Sequence, residues 1–551
     1  MKIIVVFLFL FTCVSFAQND YISADDPVYN FLERMDALHI IHGYNSLELP
    51  KPRKDIVKYL KQVIASESKL DETDSKILQD LKVQFEFELY GTLQNSQSIV
   101  GHGDYDLFSQ NNKYFLTYSD SNKTGIFINL LGEGEGLFLN DFQNHNNLSA
   151  SLGVIGGEIS GSFLNHFGFY FSGTNGDVFG NKLVADSLRE DIRQNYKFNE
   201  RPTAAFFDQT LGYLTADFDM LRIKFGQDKI RIGYGPMKSI IDDNAPPFVY
   251  IGFDINYGFL TFSYFHGQLL GNETLTNDSV AGSTYNVEQK YIGYHRIGFD
   301  LSDVLNVGAG EMIIYGDRGI DLSYLDPFAF YKSVSTADQD RDNSFLFFDV
   351  NDRSIKGMKI YSTLLIDDMD FSKLGTGWYG NQTLFDFGIF SSNLYNILPA
   401  DVTIEYTRVD PYVHTNRRNN NNFTNFGYDM GSGLQPNSEL FLGEINYRFN
   451  YRTNLDVSFK YILHGANPVL TDGTIINVGG DESLGHRSFD ALGARILAGD
   501  LEYSRITTAS LTYEPVKQYI FSLKLVYLNE SLENSVFENQ LQTFINLSVK
   551  L

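Results

Sequence analysis

The residues best suited to chemistry are charged and aromatic side chains at predicted lumen or loop positions. The segment LRIKFGQDKIRI at 221–232 interleaves basic and apolar residues, and DLSYLDPFAFY at 321–331 and EYTRVDPYVH at 405–414 combine tyrosines with charged residues. Aromatic rings can stack on the CH groups of a sugar, while carboxylates and guanidinium groups hydrogen bond its hydroxyls. The candidates for carbohydrate binding are Arg222, Lys224, Asp228, Arg231, Tyr234, Tyr331, Tyr406, Arg408 and Tyr412.

The sequence lacks the common signatures of catalysis and of metal binding. It has neither a Gly-x-Ser-x-Gly elbow nor a His-Glu-x-x-His pair. Acidic runs at 242–244, 338–342 and 481–482 offer oxygen ligands for calcium, but Asn343 stands where an EF-hand loop needs glycine. Four histidines stand singly in or beside predicted strands, where packing or hydrogen bonding is favoured: His166, His266, His295 and His414. We therefore expect no enzyme, no cofactor and no bound metal.

The elements that position these residues have the pattern of β-strands. Leu221, Ile223 and Phe225 alternate with Arg222 and Lys224, so apolar side chains lie on one face and basic ones on the other. From residue 83 to residue 551 this period of two recurs in runs as long as a tilted membrane strand. Polar loops are predicted between the runs at 181–201, 272–290, 333–343, 416–437 and 474–487. The pattern predicts an all-β transmembrane barrel of about 16–18 antiparallel strands.

Composition supports a barrel and excludes some partners. The chain has 551 residues, 46 Phe, 34 Tyr and a net charge of −25, with a mean hydropathy of −0.19. An acidic chain argues against nucleic acid as a partner, because phosphate binding needs concentrated Lys and Arg. No segment beyond the first residues has the roughly 18 apolar residues of a membrane helix, so a membrane would be crossed by a closed barrel.

The N-terminus predicts secretion followed by a small helical domain. Residues 1–17 resemble a signal peptide, whose cleavage after Ala17 would remove Cys13, the only cysteine. Pro27 and the apolar spacing after it predict amphipathic helices within 25–82. We therefore expect a signal peptide at 1–17, a helical periplasmic domain at 18–82 and an outer-membrane β-barrel at 83–551.

The segment GQDKIRIGYGPMKSIIDDNAPPF at 226–248 resembles the signature of the Wzi-type capsule assembly family of outer-membrane proteins. Further blocks at 321–333, 355–368, 405–415 and 434–449 resemble family segments in the same order. The resemblance implies an eighteen-stranded, internally occluded barrel with periplasmic helices and a lectin-like role without catalysis. Tyr234 stands near the position where many relatives carry Trp. The matching residues are interpreted as shaping a loop or plug rather than touching sugar: Gly226, Gly233, Gly235, Asn244, Pro246, Pro247 and Phe248.

These observations together predict an outer-membrane protein that attaches or organises capsular or other surface polysaccharide. We expect a monomer in outer-membrane lipid, with the helices free to contact a periplasmic partner. If the polysaccharide is anionic, Arg231, Arg408, Arg417 and Arg418 would need to form local positive patches, or divalent cations would bridge. Residue chemistry alone favours sugar binding and mutual pairing of lumen charges equally. The alternatives are a channel for sugars or small anions, an outer-membrane hydrolase, and a scaffold that recruits a partner through its helices.

Overall fold

In this computed structural model, eighteen antiparallel strands hydrogen bond side by side in a closed ring. In chain order they are β1 (Gly125–Asp141), β2 (Asn146–Phe163), β3 (Phe167–Gly180), β4 (Ala204–Asp217), β5 (Leu221–Asp228), β6 (Phe248–Tyr257), β7 (Leu260–Asp278), β8 (Gly282–Ser302), β9 (Leu305–Gly316), β10 (Asn343–Asp352), β11 (Met358–Asp368), β12 (Gln382–Ser391), β13 (Ala400–Val409), β14 (Ser438–Asn450), β15 (Thr453–Ala466), β16 (Asp500–Val516), β17 (Tyr519–Leu532) and β18 (Glu538–Lys550). The ring closes because β18 pairs with β1, where Phe544 lies opposite Leu137. The predicted barrel is confirmed at the upper end of the predicted strand count.

The structure describes residues 18–100, 105–120, 124–144, 146–193, 196–201, 204–278, 282–337, 341–396, 398–532 and 537–551. The predicted signal peptide at 1–17, and Asp338 and Asp340 of one candidate calcium run, lie outside these residues. Among the described helices, none is both long and apolar enough to cross a membrane.

The two faces of the barrel wall differ in polarity, as the alternation predicts. Ile155, Leu214 and Ile404 point outward with exposed fractions of 72%, 59% and 62%. On β5, Phe225 is exposed whereas the neighbouring Lys224 is buried inside, which confirms the predicted alternation there. A closed ring pairs all strand backbones and presents apolar side chains outward, which is how strands satisfy a lipid environment.

Four helices precede the barrel: α1 (Val28–Ala37), α2 (Arg53–Ala65), α3 (Glu72–Gln84) and α4 (Glu86–Tyr90). The predicted strand beginning at residue 83 is wrong, because α3 and α4 cover this segment. Leu81, Phe85 and Leu89 are spaced four apart, so they also fit a helical period, and all three pack with the helical core. The barrel wall begins at Gly125, while the division of the chain into domains stays a prediction.

The helices lie at the barrel end where the strands are joined by short turns, such as that between Phe163 and Phe167. Buried or half-buried ion pairs fasten them to this rim: Arg353–Asp36, Arg222–Asp55 and Lys517–Asp80. Bacterial outer-membrane barrels carry their short turns on the periplasmic side and their long loops outside. By this rule we expect the helices at the periplasmic end, and the opposite end of the barrel is called the extracellular end below.

Three of the five predicted loops contain an α-helix or a long strand. The segment 272–290 is largely strand, because β7 and β8 extend past the wall as a hairpin. Residues 181–201 contain α5 (Lys182–Leu188), α6 (Glu190–Arg193) and a short strand, and residues 333–343 contain most of α7 (Tyr331–Ala337). A hairpin that projects beyond the membrane needs no apolar face, so the period of two that reveals a membrane strand is missing there.

Candidate functional site

The segment between β5 and β6, residues 229–247, folds into the barrel and is called the plug loop here. At its start, residues 231–232 form a two-residue ladder with residues 48–49 of the N-terminal segment. The N–H of Gly233 also donates to the carbonyl of Leu47 at 2.9 Å. The plug loop is thus hydrogen bonded to the segment that links α1 and α2.

Arg231 strengthens this junction through two carboxylates. Its guanidinium lies 2.8 Å from Asp243 of the plug loop and 2.5 Å from Asp25, just before α1. Burial disfavours the charge, but the two carboxylates outweigh that cost and hold the pKa of Arg231 above its ordinary value. Arg231 therefore acts as a tie between plug loop and helices.

Tyr234 joins the centre of the plug loop to the barrel wall. Its side chain is fully buried, and its hydroxyl donates to the carboxylate of Asp349 on β10 at 3.1 Å. The same carboxylate accepts two hydrogen bonds from Arg296 on β8, each 2.8 Å long. Asp349 is thereby shared between the wall and the plug loop, and a charge-assisted network of this kind specifies one seated position.

Gly235 follows in the left-handed region, and a side chain has no room there. The carboxylate of Glu405 and the hydroxyl of Tyr361 occupy the space that a methyl group would need. Tyr361 donates to Glu405 at 2.6 Å, and the N–H of Met237 donates to the other oxygen of that carboxylate at 3.1 Å. The signature glycines all have positive φ angles: Gly226 (146°), Gly233 (141°) and Gly235 (64°).

The last residues of the plug loop are held by hydrogen bonds to the β13–β14 loop and to β5. Asn244 donates to a carbonyl of the β13–β14 loop (residues 410–437) at 3.2 Å, and the carbonyl of Pro246 accepts from the same loop at 2.8 Å. The carbonyl of Pro247 accepts from β5 at 3.2 Å, and Phe248 is buried in the core. The signature residues thus make contacts that shape and fix the plug loop.

Five predicted carbohydrate-binding residues lie inside the barrel, where protein groups already engage them: Arg222, Lys224, Asp228, Arg231 and Tyr234. Arg222 makes a bidentate ion pair with Asp55 of α2. The Nζ of Lys224 lies 2.5 Å from Asp228 and over two tyrosine rings, at 4.2 and 4.3 Å from their centres. For this set, the structure matches the alternative of lumen charges that pair with one another.

Tyr331 lies on the outer side of the barrel wall. It begins α7, in a segment that folds over the outside of β8 and β9, and its ring lies 4.6 Å from that of His295. His295 alternates with the inward-facing Arg296, so it must point outward. Tyr331 therefore cannot share a site with the interior residues.

Tyr406 and Arg408 also point outward, which corrects their predicted placement in the lumen or a loop. Glu405 on the same strand touches the plug loop, so its neighbours in the alternation face the lipid side. Tyr406 donates to Glu439 on the adjacent strand at 3.0 Å, and Arg408 pairs with Asp410 at 2.8 Å. Paired tyrosine and arginine side chains suit the interfacial belt of a barrel.

Tyr412 lies at the extracellular end and leads to a cluster that the sequence analysis missed. Its ring lies 5.9 Å from that of Tyr379 and 5.4 Å from that of His486. Tyr379 and His486 stack with centres 3.5 Å apart, and Trp378 adjoins Tyr379 at 5.3 Å. We call Trp378, Tyr379, Tyr412, His486 and Phe489 the aromatic platform. The only tryptophan of the chain stands in the glycine-rich stretch 375–380, and this was a signal that could have found the aromatic platform.

Three loops build the aromatic platform: the β11–β12 loop (369–381), the β13–β14 loop and the β15–β16 loop (467–499). Backbone hydrogen bonds of 3.0 and 2.7 Å join the first loop to the third. Lys373 lies 3.8 Å from the ring centre of Trp378, and Arg487 lies 4.6 Å from that of Phe489, which is 76% exposed. Tyr412 is buried, Trp378, Tyr379 and His486 are half-buried, and Phe489 is exposed. Ring faces that reach the surface beside cations can bind the faces and the hydroxyl or carboxylate groups of a sugar chain.

Two of the acidic runs predicted as calcium candidates are engaged by cations, where the structure describes them. Asp243 pairs with Arg231, and Asp342 accepts from Arg318 and Tyr324, each at 2.7 Å. Glu482 of the third run instead meets His414 and Asp429 beneath the aromatic platform.

The remaining inner space is divided into cavities. The larger measures about 580 Å³ and lies between the N-terminal segment and the wall formed by β1–β4 and β15–β18. Charged groups on its lining include Asp20, Arg53, Glu133, Glu158 and Lys550. At the extracellular side, α5 and α6 pack against β1–β4. The barrel therefore holds in-folded segments along much of its circumference.

No protein-family model matches the sequence, and no curated protein matches it. Among solved structures, the chain is similar to Wzi of Escherichia coli, described as an outer-membrane protein involved in group 1 capsule assembly and a carbohydrate-binding β-barrel. The TM-score is 0.57 at 13% identity, over 96% of this chain and 98% of that one. The fold is that of an outer-membrane β-barrel. The protein is accordingly located in the outer membrane.

Two proteins of Pseudomonas aeruginosa are similar over less of the chain. OccK8 (OprE) gives a TM-score of 0.44 at 10% identity, over 77% of this chain and 98% of that one. OpdK with vanillate gives 0.43 at 9% identity, over 77% of this chain and 99% of that one.

Proposed function

We propose that the protein belongs with the Wzi-type capsule proteins and holds surface polysaccharide at the outer membrane without catalysis. The observation that carries this proposal is the plug loop, which Tyr234 and Gly235 seat against the barrel wall and Arg231 ties to the helices. An occupied lumen suits a protein whose function is outside the barrel. The likeness to Wzi over 96% of the chain and the ordered sequence blocks give further support.

The aromatic platform is the proposed contact for the polymer. Its five members come from three separate loops. These loops are joined by backbone hydrogen bonds and ring contacts, so the aromatic platform is preorganised. A single stacked sugar binds weakly, but a repeating polymer offers the same unit many times and can engage several proteins at once. Stacking at the aromatic platform therefore needs only modest affinity at each site.

The net charge of −25 would repel an anionic polymer, but several cations lie near the aromatic platform. Arg417 and Arg418 are exposed in the β13–β14 loop, and Gly485 of the neighbouring loop packs against the backbone of Arg417. Lys373 and Arg487 lie on the aromatic platform itself. Arg487 pairs with Asp490 at 2.9 Å and Lys373 with Asp370 at 3.7 Å, so Arg417 and Arg418 are the cations that would attract an anionic polysaccharide to a surface that the rest of the protein repels.

The test is binding of the purified, detergent-folded protein to surface polysaccharide extracted from its host, with planar-bilayer conductance of the same sample. We expect binding without conductance. Trp378→Ala should weaken binding roughly tenfold, as expected when a ring contributing about 1.4 kcal/mol is lost. Phe142→Ala is the matched control, because this exposed ring lies at the β1–β2 connection, away from the aromatic platform. Equal binding by both variants would exclude the aromatic platform as the contact.

A channel for sugars or small anions is the second candidate function. The cavity of about 580 Å³, with its charged lining, is the observation that favours it. A steady conductance from the wild-type protein, with no binding of polysaccharide, would establish this candidate and overturn the first.

A further inference from the structure

A buried histidine with no hydrogen-bond partner lies beneath the aromatic platform. His414 is 0% exposed, and neither of its ring nitrogens has a partner within the part of the chain that the structure describes. Its backbone N–H donates to Asp367 at 2.7 Å, and its ring stacks on Phe423 with centres 4.6 Å apart. A buried imidazole whose two nitrogens are both unpaired is costly, so this position calls for a ligand.

Two carboxylates face the same point. The Nδ1 atom of His414 lies 3.9 Å from Oδ1 of Asp429, and ligand atoms of His414, Asp429 and Glu482 all lie within 4.8 Å of one another. The carboxylate of Asp429 is oriented by the N–H groups of Gly431 at 3.1 Å and Gly433 at 2.7 Å. Oε2 of Glu482 is buried without a hydrogen-bond partner among the described residues.

We propose that His414, Asp429 and Glu482 bind a divalent transition-metal ion of the zinc type, which joins the β13–β14 loop to the β15–β16 loop. One imidazole nitrogen and two carboxylate oxygens form a donor set that zinc accepts, with a fourth position for water. Calcium prefers six to eight oxygen ligands and does not favour an imidazole nitrogen.

The distances suit such an ion after a small closure. Bonds of about 2.1 Å in a tetrahedral site place neighbouring donors roughly 3.4 Å apart. The distance of 3.9 Å between His414 and Asp429 is within about half an ångström of that value. All ligand atoms of the three residues lie within 4.8 Å of one another, so small rotations of the side chains would bring them to bonding positions. The hydrogen bonds from Gly431 and Gly433 to Asp429 would serve as the outer contacts that orient a metal ligand.

The charges support the same assignment. The carboxylates of Asp429 and Glu482 lie together, and the amine of Lys290 is hydrogen bonded instead to Asn422 at 3.0 Å and to Thr424 at 3.2 Å. Among the described residues, no lysine or arginine forms a salt bridge with either acid, so a dication would neutralise both.

The experiment measures zinc bound to the full-length protein in detergent after dialysis against EDTA and reloading with ZnCl₂. We expect one zinc ion per chain by elemental analysis, and a lower melting temperature after EDTA that ZnCl₂ restores and CaCl₂ does not. Glu482→Gln keeps the shape of the side chain and should weaken zinc binding roughly 100-fold or more. His414→Asn should do the same, because asparagine tolerates the positive φ of 69° at this position.

His464→Asn is the matched control, because His464 also lies beside a carboxylate but has both nitrogens engaged. Its Nδ1 lies 2.8 Å from Glu502, and its Nε2 lies 2.8 Å from the carbonyl of Gly480. Zinc binding by this variant should equal that of the wild type. Absence of zinc in the wild type, preference for calcium, or full zinc binding by both ligand variants would each overturn the proposal. The wild-type measurement decides the matter even if a ligand variant fails to fold.

Discussion

Replacing Gly235 by alanine is expected to unseat the plug loop while the barrel stays folded. The residue has a φ of 64°, a conformation that costs an L-residue with a side chain about 1–2 kcal/mol. The new methyl group would also displace the hydrogen bond between Tyr361 and Glu405, and a buried bond to a charged group contributes about 1.5–3 kcal/mol. The total of roughly 3 kcal/mol shifts the balance between seated and unseated plug loop by about 150-fold.

Two measurements separate unseating from unfolding. Planar-bilayer recording should show openings for Gly235→Ala that the wild type lacks, because an unseated plug loop leaves the lumen open to ions. The mobility of unboiled protein on a denaturing gel should stay that of a folded barrel, since the eighteen strands pair without the plug loop. Trypsin should also cut the variant faster at Lys238, which is half-buried in the wild type and donates hydrogen bonds to the carbonyls of Gly233 and Gly235.

Gly258→Ala is a control that carries the backbone strain without the steric clash. Comparing the two variants therefore gives the steric part of the effect. Gly258 has nearly the same φ, 61°, but nothing lies within 4 Å of the position that a methyl group would take. This variant should lose about 1 kcal/mol of stability from backbone strain and show no channel openings. If Gly235→Ala behaves like Gly258→Ala in both assays, the plug loop is not seated by the contacts described here.

Three further changes test other parts of the structure. Deleting residues 229–247 should give a steady conductance in planar bilayers, and a silent recording would mean that other in-folded segments close the lumen. Arg353→Met leaves Asp36 buried without its partner, and breaking such a pair costs about 3–5 kcal/mol. The helices should then be cut faster by trypsin, whereas Lys76→Met, which removes an exposed pair on α3, should leave the cutting rate unchanged. Chelation by EDTA should lower polysaccharide binding if the proposed metal holds the loops beneath the aromatic platform. Unchanged binding in EDTA would mean that the aromatic platform does not depend on the metal site.

The barrel could be predicted from the sequence because its cause is local. A strand between lipid and an inner space must alternate in polarity, so Leu221, Ile223 and Phe225 identify the face as well as the element. The same alternation already implied that Tyr406 faces lipid, since it shares the phase of Ile404. The signature glycines could be interpreted as loop-shaping from the sequence, because positive φ angles are the usual reason for glycine at a turn, and the structure gives them such angles.

Two errors arose where local pattern admits two interpretations. The segment 83–90 fits a period of two and a period near four equally well, and only packing of Phe85 into the helical core decides for a helix. The hairpin within 272–290 has a polar sequence without a clear period of two, so its pattern does not distinguish it from a loop, and only the pairing of β7 with β8 shows the strands. In both cases the deciding interaction is with residues distant in sequence.

The sequence by itself determined the class of the protein: an acidic, all-β membrane barrel with helices before it. Only the tertiary structure decided which side chains meet. Trp378, Tyr412 and His486 converge in one cluster of rings, and His414, Asp429 and Glu482 converge in another group, although the members of each group are distant in sequence. Period and composition report the environment on each side of a strand, which is set residue by residue. The meeting of loops depends on barrel closure and strand order, which are set by hydrogen bonds between distant strands.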